Sequence, residues 1–345
     1  MPDLSHHGVA YVTDGWGVHD ERWFSALQAC DLHPRAYSRA FHGRVGSPAT
    51  DCVMLPLAQI VEAVAPAPGV LAGPLPDVTQ PLIEAGLTNI VGLSWGWDLQ
   101  EGHRRALPDD ALSWIRRLRH LIVDSVVTRD RAVRLGLPAE RISLIPWGVD
   151  LEQFRPTGPI DSLGIDAGTR VLLTLRAHEP PYRTGDVLEA FDLADLDDAV
   201  LVVGSDGSMT SAYREWVESR GRADRVHFIG RVDESRLAPI LRRADAYVSA
   251  SETDGTSVTL LQAMACGTPV IASAIPGNLP WIADQPAGWT FPVGDVGTLA
   301  ELMRQVTRDD SAAAERAALA GRIVRERADW ARNRTQLTSL LAPSS

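Results

Sequence analysis

Lysine is absent: the 345 residues carry 33 basic side chains, and all of them are arginine. Without an ε-amine the chain can form no Schiff base, which excludes pyridoxal phosphate chemistry, and it can build no P-loop, whose lysine meets the β- and γ-phosphates. Cysteine is scarce. Cys30, Cys52 and Cys266 stand singly with no C-x-x-C pair, so neither a disulfide framework nor a zinc site is expected, only three buried thiols. No apolar run approaches the roughly 20 residues of a membrane span. Residues 1–13 lack the basic start and apolar segment of a signal peptide. The expectation is a cytoplasmic protein without membrane association. Positive charge is also short, with a formal net charge of −11. That balance argues against a nucleic-acid partner, so an anionic ligand must be met by arginines placed locally.

What is present is enough to fold. With 45% hydrophobic and 22% charged residues the chain can bury a full core, and its length suits about two domains. Short apolar runs alternate with amphipathic stretches: residues 9–13 then 20–29, 53–55 then 57–65, and 89–94 then 109–119. The rhythm resumes at 171–175, 187–193, 199–204, 211–220, 225–229, 234–244 and 246–249. Alternation at this spacing predicts α/β structure with parallel sheets. Between the two series lie Pro146-Trp147-Gly148 and Pro156-Thr157-Gly158-Pro159, a density of proline and glycine that marks a hinge. Two doubly wound domains follow, with ligands at the carboxyl ends of their strands.

The segment Asp254 to Ser273, DGTSVTLLQAMACGTPVIAS, concentrates the signals. Asp254-Gly255 makes a turn, Thr256 or Thr259 can cap a helix, Val258, Leu261 and Met264 share a helical face, and Gly267 with Pro269 ends it. A loop of small residues entering a helix offers free N–H groups to an anion such as a diphosphate. A purely structural account also fits: Thr259 and Gln262 match a capping box, and Asp254 a simple turn.

This segment resembles the signature of family 4 glycosyltransferases of the GT-B fold, in which a Glu, seven residues and a second Glu lead into an A-M-A-x-G-x-P-V-I run. Here the two acids are Asp254 and Gln262. The resemblance implies that Asp254 contacts the donor sugar, Gln262 the ribose hydroxyls, and the amides of Gly255, Thr256, Ser257, Val258 and Thr259 the phosphates. Further segments match in order: Ile142 to Pro156 resembles the interdomain I-P-x-G-V-D-x-x-x-F-x-P passage, Leu201 to Gly207 a strand ending in a G-x-G turn, and Val226 to Gly230 the V-x-F-x-G strand beside the base, with Arg231 next to it. Arg176 stands where the family carries the first of two basic residues on the donor diphosphate. Arg183 is the candidate for the second, a lysine before glycine in the family. The likeness is good over about residues 120–295 and loose before them.

In the N-terminal part, Gly15-Trp16-Gly17-Val18-His19-Asp20 follows the first strand. It misses the dinucleotide G-x-G-x-x-G because Asp20 holds the third glycine place, which weakens a nicotinamide site. The resemblance places this glycine-rich loop, with Gly17 and His19, at the donor phosphate or the acceptor. Ser94-Trp95-Gly96-Trp97-Asp98 resembles an H-G-x-D passage with Trp95 in the place of a histidine that lies near the transferred sugar. Trp95 can stack on a sugar or pack between domains. Trp95, Asp98 and His178 join His19 as candidate sugar or acceptor contacts. The Trp114 to His120 stretch mixes bulky and basic residues, as a membrane-surface helix would, yet its flanking acids suit a solvated face.

The resemblance implies two Rossmann-like domains facing a central cleft, residues 1–155 on the acceptor side and 156–324 on the nucleotide-sugar side, with a last helix of about 325–345 packing back on the first. It further implies a retaining transferase that needs no metal or other cofactor and moves a sugar from a UDP- or GDP-sugar to a small soluble acceptor. Arg176, Arg183 and Asp254 are the catalytic candidates. The same donor site would also serve a nucleotide-sugar 2-epimerase or hydrolase, or a silent partner that only binds nucleotide sugars. These motifs do not set an oligomeric state.

Overall fold

The computed structural model describes residues 8–41, 52–99 and 108–341; of residues 18, 19, 40 and 41 it describes the backbone alone. The chain forms two compact units, residues 1–146 with 331–345, and residues 147–330. Residues 147–155 and 325–330 thus pack with the second unit, where the sequence placed them with the first. Within the first unit, Cys30 Sγ donates to the carbonyl of Arg334 (3.3 Å), and Leu341 is fully buried.

The first unit holds a seven-stranded sheet: β1 (Ala10–Trp16), β2 (Arg35–Phe41), β3 (Cys52–Met54), β4 (Val70–Gly73), β5 (Ile90–Leu93), β6 (His120–Val123) and β7 (Ile142–Leu144). All its pairings are parallel, in the order β3-β2-β1-β4-β5-β6-β7. The second unit holds β8 (Arg170–Thr174), β9 (Ala199–Gly204), β10 (Val226–Gly230), β11 (Ala246–Ser249), β12 (Val270–Ser273) and β13 (Trp289–Phe291). Its order is β10-β9-β8-β11-β12-β13, again parallel throughout. Each sheet is doubly wound, and its order reverses once: between β1 and β4 in the first unit, and between β8 and β11 in the second. A crevice opens outside the strand ends at such a reversal, and ligands of open α/β sheets bind there.

The apolar runs of the second unit explain its layers. Successive side chains of a strand point to opposite faces, so a strand covered by helices on both sides must be apolar at every position. Val171 and Leu173, Val202, Tyr247, and Val270 and Ala272 enter one core. Their neighbours Leu172, Leu201 and Val203, Ala246 and Val248, and Ile271 enter the other. The first unit is organised likewise, with Ala10, Val12, Val70, Ala72, Leu121 and Val123 in its main core.

Three expectations change. Cys30 and Cys52 are half-buried, and Cys266 alone of the three is buried. Residues 109–117, expected as a helix with a solvated face, wind as a 3-10 helix that buries Leu112, Trp114 and Ile115 in the core and leaves Arg116 and Arg117 exposed. The helix Val258–Ala265 is capped by Ser257, whose Oγ accepts from Leu260 N, not by Thr256 or Thr259. No helix among the described residues is long and apolar enough to cross a membrane.

Candidate active site

Two loops flank the strand-order reversal of the second unit. One follows β8 and carries Arg176; the other follows β11 and carries Asp254. Arg176 Nη2 donates to Asp254 Oδ2 at 2.7 Å, and Nη1 donates to Ser257 Oγ at 2.9 Å. The guanidinium also lies over the ring of Tyr182, 4.3 Å from its centroid. The side chains of Arg176 and Asp254 are 12% and 20% exposed, so their attraction is little screened. Burial is the largest influence and works against the Arg176 charge, but Asp254, Tyr247 and Tyr182 together outweigh it and hold the guanidinium above its ordinary pKa. Nε of Arg176 is buried without an acceptor among the described residues.

Arg183 fixes the same second loop from another point. Its Nε donates to Asp186 Oδ2 (2.8 Å), and Nη1 stands 3.6 Å from Glu252 Oε2. Its backbone is left-handed, φ +48°, a conformation that costs a non-glycine residue about 1–3 kcal/mol and persists where surrounding contacts over-determine it. Here the residue sits at the junction of the turn Pro180–Tyr182 and the helix Thr184–Ala194. A β-carbon on Gly294 would stand 3.3 Å from Arg183 Nη2, so the guanidinium rests against that glycine.

The helix Val258–Ala265 buries Leu260, Leu261, Ala263, Met264 and Ala265 and leaves Val258, Thr259 and Gln262 half-exposed. Those three positions share one face because i and i+4 neighbour each other. The Thr259–Gln262 capping box is not formed, since Ser257 is the cap. The helix ends where Gly267 takes φ +76°, a conformation that favours glycine. Helix-opening amides, two guanidinium groups and small side chains at one strand-order reversal are an arrangement suited to a diphosphate.

The other candidates divide. Arg231 pairs with Asp206 (2.9 Å) beyond β10, and both side chains are more than half exposed, a pairing worth at most about 1 kcal/mol. His178 is a correction: it has no exposed surface, its Nδ1 is 2.8 Å from Thr210 Oγ1 and its Nε2 3.2 Å from the carbonyl of Gly204. Both nitrogens are engaged inside the second unit, so no ring atom is left for a sugar.

Gly17, His19, Trp95 and Asp98 lie in the first unit. The side chain of His19 is outside the described residues. Gly17 N–H, expected at a phosphate, donates instead to Asp20 Oδ2 (2.8 Å), while Tyr11 donates to Oδ1 (2.9 Å). Asp20 thereby takes up the amide that a third glycine would have left open. Burial raises the Asp20 pKa. Asp98 is a second correction. Fully buried, it accepts from Leu75 N (3.0 Å), Ser94 Oγ (2.5 Å) and Trp95 N (3.2 Å), and so ties the loop after β5 to the one after β4. Burial raises its pKa too. Trp95 is half-buried with its indole against Gly73, where an added β-carbon would stand 2.7 Å from Nε1.

Sequence reasoning did not find Tyr182, Glu252 or Gly277. A β-carbon on Gly277 would lie 2.3 Å from the carbonyl oxygen of Asp254, so the loop after β12 supports the one bearing Asp254. The Ile275-Pro276-Gly277-Asn278 run was the available signal for Gly277; nothing in spacing marked Tyr182. Among the described residues no group of three or more His, Cys, Asp and Glu is placed to hold a metal ion.

Residues 160–323 match the family of group 1 glycosyl transferases. D-inositol 3-phosphate glycosyltransferase 2 of Catenulispora acidiphila is 30% identical over 195 residues, which cover 52% of this chain and 46% of that protein. The chain spans about half the length of the curated relatives it matches. HepE of Anabaena, solved with UDP and glucose, superposes with a TM-score of 0.81 over 98% of this chain and 100% of its own, at 15% identity. Sucrose-phosphate synthase of Thermosynechococcus elongatus gives 0.77 over 96% and 97%, at 19% identity. By fold the chain is of the GT-B kind, two Rossmann-like α/β domains, and by sequence residues 160–323 are related to group 1 glycosyl transferases.

Proposed function

We propose that this protein is a retaining glycosyltransferase of the family 4 type that uses a nucleoside-diphosphate sugar. The carrying observation is the Arg176–Asp254–Ser257 cluster at the strand-order reversal of the second unit, inside the stretch related to group 1 glycosyl transferases. Arg176 and Arg183 neutralise the diphosphate as it departs. The amides from Gly255 to Thr259 receive the phosphates, Gln262 the ribose and Asp254 the sugar. An amide both donates and accepts, so Gln262 can serve hydroxyls where an acid is usual.

In the reaction the bond between the anomeric carbon and the β-phosphate oxygen breaks, and its electron pair stays on the phosphate. The acceptor oxygen bonds to the anomeric carbon from the same face, and its proton passes to the departing phosphate oxygen. No protein base is needed, and Tyr247 beside the arginine is not one: burial pushes its phenol up to about 12. Stabilising the developing phosphate charge is the protein's main contribution.

The relatives suggest where to begin. HepE was solved with UDP and glucose, which makes UDP-glucose the first donor to test, followed by GDP-mannose. A small polyol such as the inositol phosphate in a relative's name suits the first acceptor. The purified protein is incubated with each donor and an acceptor panel, and products are read by mass spectrometry. A glycosylated acceptor supports the proposal. An altered or hydrolysed donor instead would assign an epimerase or hydrolase, and binding without any turnover a silent nucleotide-sugar partner.

A further inference from the structure

The guanidinium that should receive the diphosphate is already occupied. Each terminal nitrogen makes one bond, Nη2 to Asp254 and Nη1 to Ser257, its face lies on Tyr182, and Nε is left without an acceptor among the described residues. The three holds differ in kind. Ser257 is locked as the helix cap, with Oγ also accepting from Leu260 N. Tyr182 offers a ring that attracts the cation but forms no directed bond. Asp254 alone brings a negative charge, and it sits on the irregular stretch between β11 and the helix. A carboxylate on arginine presents the same planar pair of oxygens that a phosphate does. It neutralises a guanidinium that would otherwise be buried unpaired, an expensive state.

We infer that Asp254 is a specificity-determining residue that favours sugar-bearing nucleotides over the free nucleoside diphosphate, by occupying Arg176 until a donor displaces it. The inference rests on the donor-site reading above. A phosphate that takes the Nη2 position of Arg176 competes with Asp254 for it, whichever nucleotide carries it. An intact donor gives the released carboxylate new partners in its sugar hydroxyls, whereas a free diphosphate leaves it without them. The penalty therefore falls on the product. When the sugar departs, Asp254 returns to Arg176 and helps expel the spent nucleotide. The Arg176–Ser257 bond and the approach of Arg183 to Glu252 remain as contacts of the loop meanwhile.

The test is calorimetric titration of the full chain with UDP, GDP and ADP, and with UDP-glucose and GDP-mannose, in the wild type, Asp254→Asn, Asp254→Ser and Arg176→Ala. Asp254→Asn keeps the size and removes the charge; Asp254→Ser guards against an amide that still bonds Arg176. The expected result is free diphosphate bound about tenfold more tightly in both Asp254 variants, with the sugar nucleotide gaining less or losing, so that the ratio of the two affinities narrows. Free diphosphate bound no more tightly in both variants, with binding still weakened in Arg176→Ala, overturns the inference and leaves the donor site standing. No nucleotide bound by the wild type, or equal binding in Arg176→Ala, overturns the donor-site reading and the inference with it. Melting temperatures within a few degrees of the wild type establish that the variants are folded.

Discussion

A β-carbon placed on Gly277 would stand 2.2 Å from the carbonyl oxygen of Gly255, well inside any contact real atoms tolerate. The loop after β12 is thus the floor on which Asp254 and Gly255 rest, and only hydrogen fits between them. In Gly277→Ala the loop has to shift, because the obstructing atoms are backbone and cannot rotate aside. Overpacking of this kind costs about 1–3 kcal/mol. Displacing reacting groups by an ångström costs up to about a hundredfold in rate. We expect the variant to fold with a reduced melting temperature and to lose about ten- to a hundredfold in kcat/KM. Unchanged steady-state kinetics would show that the position of this loop does not matter to transfer.

Arg176 is expected to act on the departing diphosphate. Arg176→Ala should lower kcat by more than about a hundredfold at saturating donor, the scale seen when a group that stabilises transition-state charge is removed. Arg176→Lys should recover little, since an ammonium cannot bond Asp254 or a phosphate and Ser257 in the planar, two-pronged way that the guanidinium does. Near-normal turnover of the alanine variant, measured with the first donor found to be used, would remove Arg176 from that role.

These residues show which parts of the protein are legible in sequence. Parallel α/β layers could be read because strands covered on both faces must be apolar at every position, as in Val171-Leu172-Leu173 and Leu201-Val202-Val203. Arg176 and Asp254 are singled out by the resemblance to the family 4 signature, which also points to the amides around Ser257; the capping by its side chain is not read there. The fates of polar side chains could not be read. Asp98 and His178 carry the chemistry of a sugar contact, but their partners, Leu75, Gly204 and Thr210, are set by tertiary packing that leaves no spacing in the sequence. Tyr182 escaped for the same reason, since a ring face acquires meaning only from what lies against it; Gly277 had a readable Pro-Gly signal, but the backbone it supports is set by tertiary packing.

Asp98 is expected to matter for stability. Its carboxylate gathers two backbone amides and the Ser94 hydroxyl in the interior of the first unit. Asp98→Ala leaves these donors without their acceptor, and each buried orphan costs about 1–3 kcal/mol. A loss of about 2–4 kcal/mol is expected in urea denaturation. Affinity for the nucleoside diphosphate, whose proposed site is in the second unit, should stay the same. Full stability with loss of transfer alone would return Asp98 to the list of substrate contacts.

His178 makes the stability of the second unit depend on pH. The carbonyl of Gly204 can only accept, so Nε2 carries the proton, and in the neutral ring Nδ1 is an acceptor 2.8 Å from Thr210 Oγ1, whose single proton is shared between it and the carbonyl of Gly207. Burial pushes the imidazole below its ordinary pKa of about 6.5. Because the folded value is the lower one, the unfolded chain binds the proton first as the pH falls. The contribution is therefore complete above about 6.5 and shrinks as the pH drops from there through the folded value. Urea midpoints at pH 7.5 and 5.5 should fall more steeply toward acid in the wild type than in His178→Gln. That variant loses some stability at both values but no longer has a ring to titrate. Equal slopes in the two proteins would mean that the buried imidazole takes up its proton as readily folded as unfolded.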